Sequence, residues 1–341
     1  MEKNLLGAVL AALPALAQAQ SAPALALPVD CEIGRACVVQ NYVDRDPGPG
    51  ARDYRCGFLS YDGHEGTDIR VIDTPSYKRG VAVLAAAPGR VRAVRDGMRD
   101  ASVRTLGKDA VAGREAGNSV VVDHGGGWET QYAHMRKGSV AVRAGELVKG
   151  GQPLGAVGLS GNTEFPHVHF EVRHQRNVVD PFDGTDGASA AKCESAGAPL
   201  WNQAALQALA YVPTGLLDAD FAGAPPRVGS GDVDRDGTAP FAPTAQAAVF
   251  WAQIYGARAG DVEELRLVVP DGTVAASKRA PLERNQAQHL SYIGKRQGGA
   301  AWPAGTYRGE YAVYRGADGE KIVSITRETT LAADVSKRGA D

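Results

Sequence analysis

Residues 167–173 alternate strictly between polar and apolar side chains, which is the period of a β-strand and not that of a helix. The opening pair of imidazoles, His167 and His169, would share the polar face, roughly 6.5–7 Å apart along the backbone. The opposite, apolar face would carry Val168, Phe170 and Val172. A metal site built on a sheet needs such a strand. A lone His-x-His pair is weak evidence, because surface strands also carry two histidines by chance.

The composition favours a mainly β protein. Glycine occurs 42 times in 341 residues, which is consistent with many turns, and long apolar stretches with helical periodicity are scarce. The length is sufficient for two domains. The formal net charge of −2 gives no electrostatic case for binding nucleic acid or an anionic membrane surface.

Two upstream segments carry residues of matching chemistry. His64 and Asp68 are four residues apart, and glycines at 63 and 66 indicate a turning loop. Catalytic zinc sites use three nitrogen or oxygen ligands from the protein plus a water, so these two residues could join His169. Taken alone, the segment is better explained as a polar hairpin turn with a surface histidine. His134 lies near the end of a predicted strand, on the same face as Tyr132, and could also be an ordinary strand-end histidine.

In this order, the three segments resemble the lysostaphin/LytM-type zinc metallopeptidases, a family of cell-wall endopeptidases. The family carries H-x-x-x-D, a YAH-type segment, and H-x-H followed by F-E. This chain has these patterns at residues 64–68, 132–134 and 167–171. The resemblance extends over roughly residues 55–185, and it implies a LytM-like antiparallel β-sheet as the catalytic domain.

The resemblance also implies a role for each residue of the site. His64, Asp68 and His169 match the ligands of one Zn²⁺ per chain, whereas His134 and His167 match histidines that line the reaction centre. The implied activity is hydrolysis of peptidoglycan cross-links or stem peptides by a zinc-activated water. Which of the two histidines acts as general base stays open.

The alternative function is a non-catalytic, envelope-binding module that activates another cell-wall hydrolase. That role normally goes with lost metal ligands, and all five histidine and aspartate positions are filled here. The sequence therefore favours the enzyme over the binding module.

Residues 1–19 have the pattern of a signal peptide. Lys3 precedes a short apolar run, and Ala17-Gln18-Ala19 has the small-x-small pattern of a cleavage site. An uncleaved anchor is the alternative. No other apolar stretch reaches about 18 residues, so we expect no membrane span after cleavage. Because the signal peptide directs export, we expect a periplasmic or extracellular location.

Export would place the four cysteines in an oxidising compartment. Four cysteines allow three pairings. We expect the disulfides Cys31–Cys37 and Cys56–Cys193, the second of which would join the start of the catalytic domain to its end.

The expected domain organisation follows the changes in composition. Residues 28–195 would form the metallopeptidase domain, with residues 96–117 as a long loop beside the groove. Residues 196–244 would form a short helix and an Ala/Pro/Gly-rich linker, and residues 245–334, with six candidate strands, an immunoglobulin-like β-sandwich. We expect this last domain to bind an envelope partner, and a purely stabilising appendage is equally compatible with the sequence.

Overall fold

The computed structural model describes residues 21–72, 74–186, 197–228, 233–235, 237–316 and 319–332. The predicted signal peptide, residues 1–19, and Cys193 lie outside the described residues. The pairing Cys56–Cys193 therefore stays a prediction. The predicted disulfide Cys31–Cys37 is present, with a Cα–Cα distance of 6.1 Å.

The first half of the described chain forms two antiparallel sheets. Its strands are β1 (Cys37–Asn41), β2 (Thr67–Val71), β3 (Ala82–Leu84), β4 (Gly89–Arg95), β5 (Asn118–Gly125), β6 (Trp128–Met135), β7 (Leu147–Val148), β8 (Pro153–Ala156), β9 (His167–His174) and β10 (Asn177–Val178). The large sheet has the order β1-β2-β9-β6-β5-β4-β7, with β10 paired to β9, and β3 pairs with β8. The antiparallel sheet implied by the family resemblance is therefore present.

β9 pairs with β2 on one side and β6 on the other, and its alternation directs one face into the core. Val168 and Phe170 are fully buried, and Val172 is nearly so, because this face packs into the hydrophobic core. Tyr132 of β6 lies directly opposite Phe170, with ring centroids 5.3 Å apart. The polar face of β9 is left for the two histidines.

In the part of the chain that the structure describes, helical structure is confined to short segments. They are α1 (Thr74–Arg79), α2 (Val103–Leu106), a 3-10 turn (Lys108–Val111) and α3 (Gln203–Ala208). The predicted loop of residues 96–117 thus contains one helical turn and one 3-10 turn. Among the described residues, no helix is long and apolar enough to cross a membrane.

The C-terminal region consists of two further antiparallel sheets. The strands are β11 (Gly215–Ala222), β12 (Ala247–Ala257), β13 (Val262–Val268), β14 (Val274–Pro281), β15 (Gln286–Arg296), β16 (Gly305–Tyr314) and β17 (Lys321–Leu331). The sheets have the orders β11-β12-β15 and β14-β13-β16-β17, and they pack around a shared core that includes Phe250, Leu265 and Val313. The six strands predicted after residue 245 correspond to β12–β17.

One strand lies where the composition predicts a linker. β11 falls inside residues 196–244 and pairs with β12 along its length. Three of its apolar side chains are buried: Leu217, Ala219 and Ala222. This burial outweighs the loop-like composition of the flanking chain. Leu217 and Tyr255 of β12 also belong to the core of the large N-terminal sheet, so the two regions share apolar contacts.

Candidate active site

The register of three adjacent strands brings two of the predicted segments together. Asp68 on β2 lies opposite His169 on β9, and on its other side β2 pairs with β1. Asp68 Oδ1 is 2.9 Å from His169 Nδ1 and 3.1 Å from His64 Nε2. The ligand atoms of these three residues all lie within 4.8 Å of one another, which is close enough for one metal ion.

A tight turn before β2 carries His64 into this cluster. Gly63 has a φ of 73°, a left-handed conformation that favours glycine. The Nδ1–H of His64 donates to the carbonyl oxygen of Tyr42 at 2.7 Å. This hydrogen bond fixes the ring so that Nε2 faces Asp68 and His169.

Gly66 allows the backbone to approach His169. A Cβ atom at position 66 would lie 2.7 Å from Cε1 and Nε2 of His169, and 2.8 Å from the carbonyl oxygen of Phe170. Both distances are shorter than van der Waals contact allows. The position therefore requires glycine for space, in contrast to Gly63, where nothing lies within 4 Å.

Asp68 is the centre of the polar network. Its side chain is buried, and Asn41 Nδ2 donates to Oδ2 at 2.9 Å, which leaves Oδ1 to the histidines. Burial raises the pKa of Asp68, but the His64 and His167 imidazoles outweigh it and hold the pKa well below its usual range. Burial lowers the pKa of His64, and the Asp68 carboxylate more than compensates, so that this pKa is raised.

The remaining two histidines lie beside this cluster. His167 Nδ1 donates to the carbonyl oxygen of Phe165 at 2.9 Å, and its Nε2 lies 3.3 Å from Asp68 Oδ1. The ring centroid of His134 lies 4.7 Å from that of His167. Burial, together with the neighbouring His167 and His169, holds the pKa of His134 well below its ordinary value.

His134 reaches the site through an unusual backbone conformation. Simple alternation along β6 predicts the same face for His134 and Tyr132, but only Tyr132 packs in the core. His134 has a φ of 60°, uncommon for a residue with a side chain, and the β5–β6 register is irregular at this point. Its N–H donates to Ala116 O at 2.9 Å, and its Nδ1 donates to Ser160 O at 2.8 Å. These bonds turn the imidazole toward His167 instead of into the core.

All five residues predicted for the site therefore meet at one place. A second group, His134, His167 and His169, also offers three ligand atoms within 4.8 Å of one another. The two groups share His169 and differ in chemistry, because only the group with His64 and Asp68 contains a carboxylate.

The residues that orient the site were not identified from the sequence. Asn41 comes from a strand upstream of the recognised motifs, and Thr163 Oγ1 lies 3.1 Å from His167 Nδ1. The other contacts come from backbone carbonyl groups, which have no sequence signature. The polar end of the apolar strand 37–41 could have identified Asn41.

The part of the chain that carries this site is similar to known proteins. Residues 62–181 match the model of peptidase family M23. The chain is 40% identical over 85 residues to the cell division protein DipM of Caulobacter vibrioides, covering 24% of this chain and 14% of that protein. It is 40% identical over 65 residues to the peptidoglycan DD-endopeptidase ShyB of Vibrio cholerae, covering 19% and 15% respectively.

A third relative is named for a different role. The murein hydrolase activator EnvC of Escherichia coli is 34% identical over 103 residues, covering 30% of this chain and 22% of that protein. In each case the matched region spans less than a quarter of the relative's length.

Proposed function

Residues 62–181 of this chain belong to peptidase family M23, and from that premise we propose that the protein is an exported zinc metalloendopeptidase that hydrolyses peptide bonds of peptidoglycan cross-links or stem peptides. The observation that carries the proposal is the convergence of His64, Asp68 and His169 around one point, with His134 and His167 beside it. The similarity to ShyB, a peptidoglycan DD-endopeptidase, supports the substrate class.

The first three residues would hold the metal. Two imidazole nitrogens and one carboxylate oxygen are ligand types of catalytic zinc sites, which keep a further position open. The hydrogen bonds from His64 to Tyr42 O and from Asn41 to Asp68 Oδ2 leave His64 Nε2 and Asp68 Oδ1 directed at the cluster. Zinc, when bound, would polarise the scissile carbonyl and make a water acidic near neutral pH.

His134 and His167 would handle the proton and the developing charge. Each donates its Nδ1–H to a backbone carbonyl, so the neutral ring keeps the lone pair on Nε2 as an acceptor. A neutral imidazole can accept the proton of the attacking water, and an imidazolium can donate to the departing amine or stabilise the oxyanion. The two rings are equivalent in this respect, so we assign these roles to the pair.

The similarity to EnvC favours a second candidate, a module that activates another cell-wall hydrolase without cutting the wall itself. The filled site weighs against it, because an activator has no need of five converging metal-binding and acid–base side chains. Zinc content separates the two: we expect close to one Zn²⁺ per chain in the purified protein, whereas almost none would favour the activator.

The activity is tested by digesting purified sacculi and identifying the released fragments by mass spectrometry. His167→Ala should retain zinc but lose roughly 100- to 1000-fold in turnover, as for the loss of one oxyanion-type stabiliser. Asp68→Ala and His169→Ala should release the metal. His174→Ala is the matched control, because His174 ends the same strand and stacks on Trp128, with ring centroids 4.2 Å apart. A His167→Ala protein without zinc, beside a His169→Ala protein that keeps it, would invert the assignment.

We also propose that residues 1–19 direct export and that the C-terminal sheets, as an immunoglobulin-like sandwich, bind an envelope partner. The disulfide Cys31–Cys37 is consistent with an oxidising compartment. Fractionation of cells that express the full chain would test the location. Recovery of the protein in the cytosol with both thiols reduced would count against it.

A further inference from the structure

The outer face of the sheet β11-β12-β15 faces the metallopeptidase domain. Side chains of β12 alternate, so that Phe250 and Ile254 enter the core between the C-terminal sheets, while Tyr255 joins the core of the N-terminal sheet. Gln253 shares the face of Tyr255 and is 4% exposed. This sheet therefore adjoins the metallopeptidase domain through its outer face.

A groove of about 360 Å³ opens where this face meets the domain. One wall consists of Arg104 on α2 and Glu164 on the loop before β9, joined by an ion pair of 2.8 Å between Nη2 and Oε2. The opposite wall consists of Gln253, Gln288 and Leu290 from β12 and β15. Leu290 lies directly opposite Gln253 in the strand register.

The groove begins close to the proposed reaction centre. Glu164 precedes His167 by three residues, so their Cα atoms are at most about 11 Å apart. The same loop orients His167, since Thr163 Oγ1 lies 3.1 Å from its Nδ1. α2 is tied to this loop, because the Val103 N–H donates to Thr163 O at 2.9 Å. An extended peptide advances about 3.3 Å per residue, so about three residues of an extended substrate would cover the longest distance that these two Cα atoms can have.

The lining of the groove suits a peptide. Gln253 Nε2 donates to Gln288 Oε1 at 3.1 Å, and each primary amide has two donors and an acceptor with two lone pairs. Such groups complement the alternating N–H and C=O groups of an extended main chain. Leu290 and Val228, the latter 55% exposed, offer apolar contact to a side chain.

We propose that this groove is a substrate subsite, which binds the peptide about three residues from the scissile bond and makes the C-terminal sheet part of the substrate cleft. This inference rests on the proposed peptidase function. It assigns substrate selection to Gln288 and Leu290, residues of the C-terminal region that lie more than a hundred positions beyond His167 in the sequence.

The test compares cross-linked muropeptides of two lengths with the full chain. One set extends three or more residues on both sides of the cleaved bond, and the other is truncated one residue beyond it on either side. We expect Gln288→Ala and Leu290→Ser to lower the ratio of kcat/KM for long over short substrate about tenfold, the equivalent of 1.4 kcal/mol. Tyr292→Ala is the matched control: Tyr292 is 48% exposed on the same face of β15 and lines a different cavity.

Zinc content and thermal unfolding establish that each variant is folded. A ratio that changes no more in Gln288→Ala and Leu290→Ser than in Tyr292→Ala would overturn the subsite while leaving the peptidase function intact. If the wild type cleaves no peptide, the peptidase function fails, and calorimetric titration with the long muropeptide tests the groove alone. Weaker binding by Gln288→Ala than by Tyr292→Ala then supports the groove, and equal binding overturns it.

Discussion

Replacing Gly66 with alanine should push the His169 ring out of the position in which it could bind the metal. The added Cβ would lie 2.7 Å from two atoms of the imidazole, and ordinary contact begins near 3.4 Å, so the ring must retreat by about 0.7 Å. Metal–ligand distances tolerate only about 0.2 Å. The backbone oxygen of Phe170, 2.8 Å from the same Cβ, leaves little room for the loop to move instead.

We therefore expect Gly66→Ala to weaken zinc binding by at least about 100-fold, or roughly 2.7 kcal/mol. The metal-free protein should lose a further 1–3 kcal/mol of unfolding free energy from overpacking. Competition with a chromophoric chelator measures the zinc affinity, and chemical denaturation of the metal-free protein measures the stability.

Gly63→Ala is the matched control in the same loop. Its φ of 73° is unfavourable for alanine and should cost about 1–2 kcal/mol, but no atom lies within 4 Å of the new Cβ. This variant should lose stability and keep its zinc affinity. A Gly66→Ala protein that binds zinc as tightly as the wild type would refute the steric argument, and equal zinc loss in both variants would show that loop strain, not contact with His169, controls the site.

Three further predictions concern the polar networks and the metal. Asn41→Ala should weaken zinc binding 10- to 100-fold, as for other residues that orient a ligand, measured by the same competition. Burial raises the pKa of Glu263, but hydrogen bonds from His289, Lys278 and Ser291 outweigh it and lower the pKa from 4.5 to about 2. The resulting stability is present above pH 4.5 and is lost toward pH 2. Glu263→Gln should therefore reduce the loss of unfolding free energy between pH 4.5 and pH 2 by up to about 3 kcal/mol. An unchanged acid transition would contradict this. EDTA should lower the melting temperature and abolish turnover, and added zinc should restore both; turnover by protein from which the chelator has removed the zinc would exclude a metal-dependent reaction.

Sequence patterns predicted the strands well because burial imposes a period of two on them. The alternation of residues 167–173 predicted the faces of β9 correctly. The family resemblance placed His64, Asp68 and His169 in one cluster, and their ligand atoms do lie together in the structure. The conformation of His134 could not be predicted in this way, since it depends on a hydrogen bond to Ala116 O and on an irregular register. β11 was missed because its burial depends on β12, whose pairing residues lie 27 or more positions away. The groove beside Glu164 was missed for the same reason at longer range.

The apolar contacts of Leu217 and Tyr255 limit how this protein can be recombined. Both side chains complete the core that contains Tyr42 and Leu59, and Gly256 approaches Leu59 so closely that a Cβ there would lie 3.1 Å from its Cδ2. A chimera that exchanged everything after residue 195 for an unrelated module would remove Leu217 and Tyr255 and leave Tyr42 and Leu59 without these apolar partners. An engineered fusion that keeps this core intact therefore needs to carry β11 and β12 along with residues 28–195.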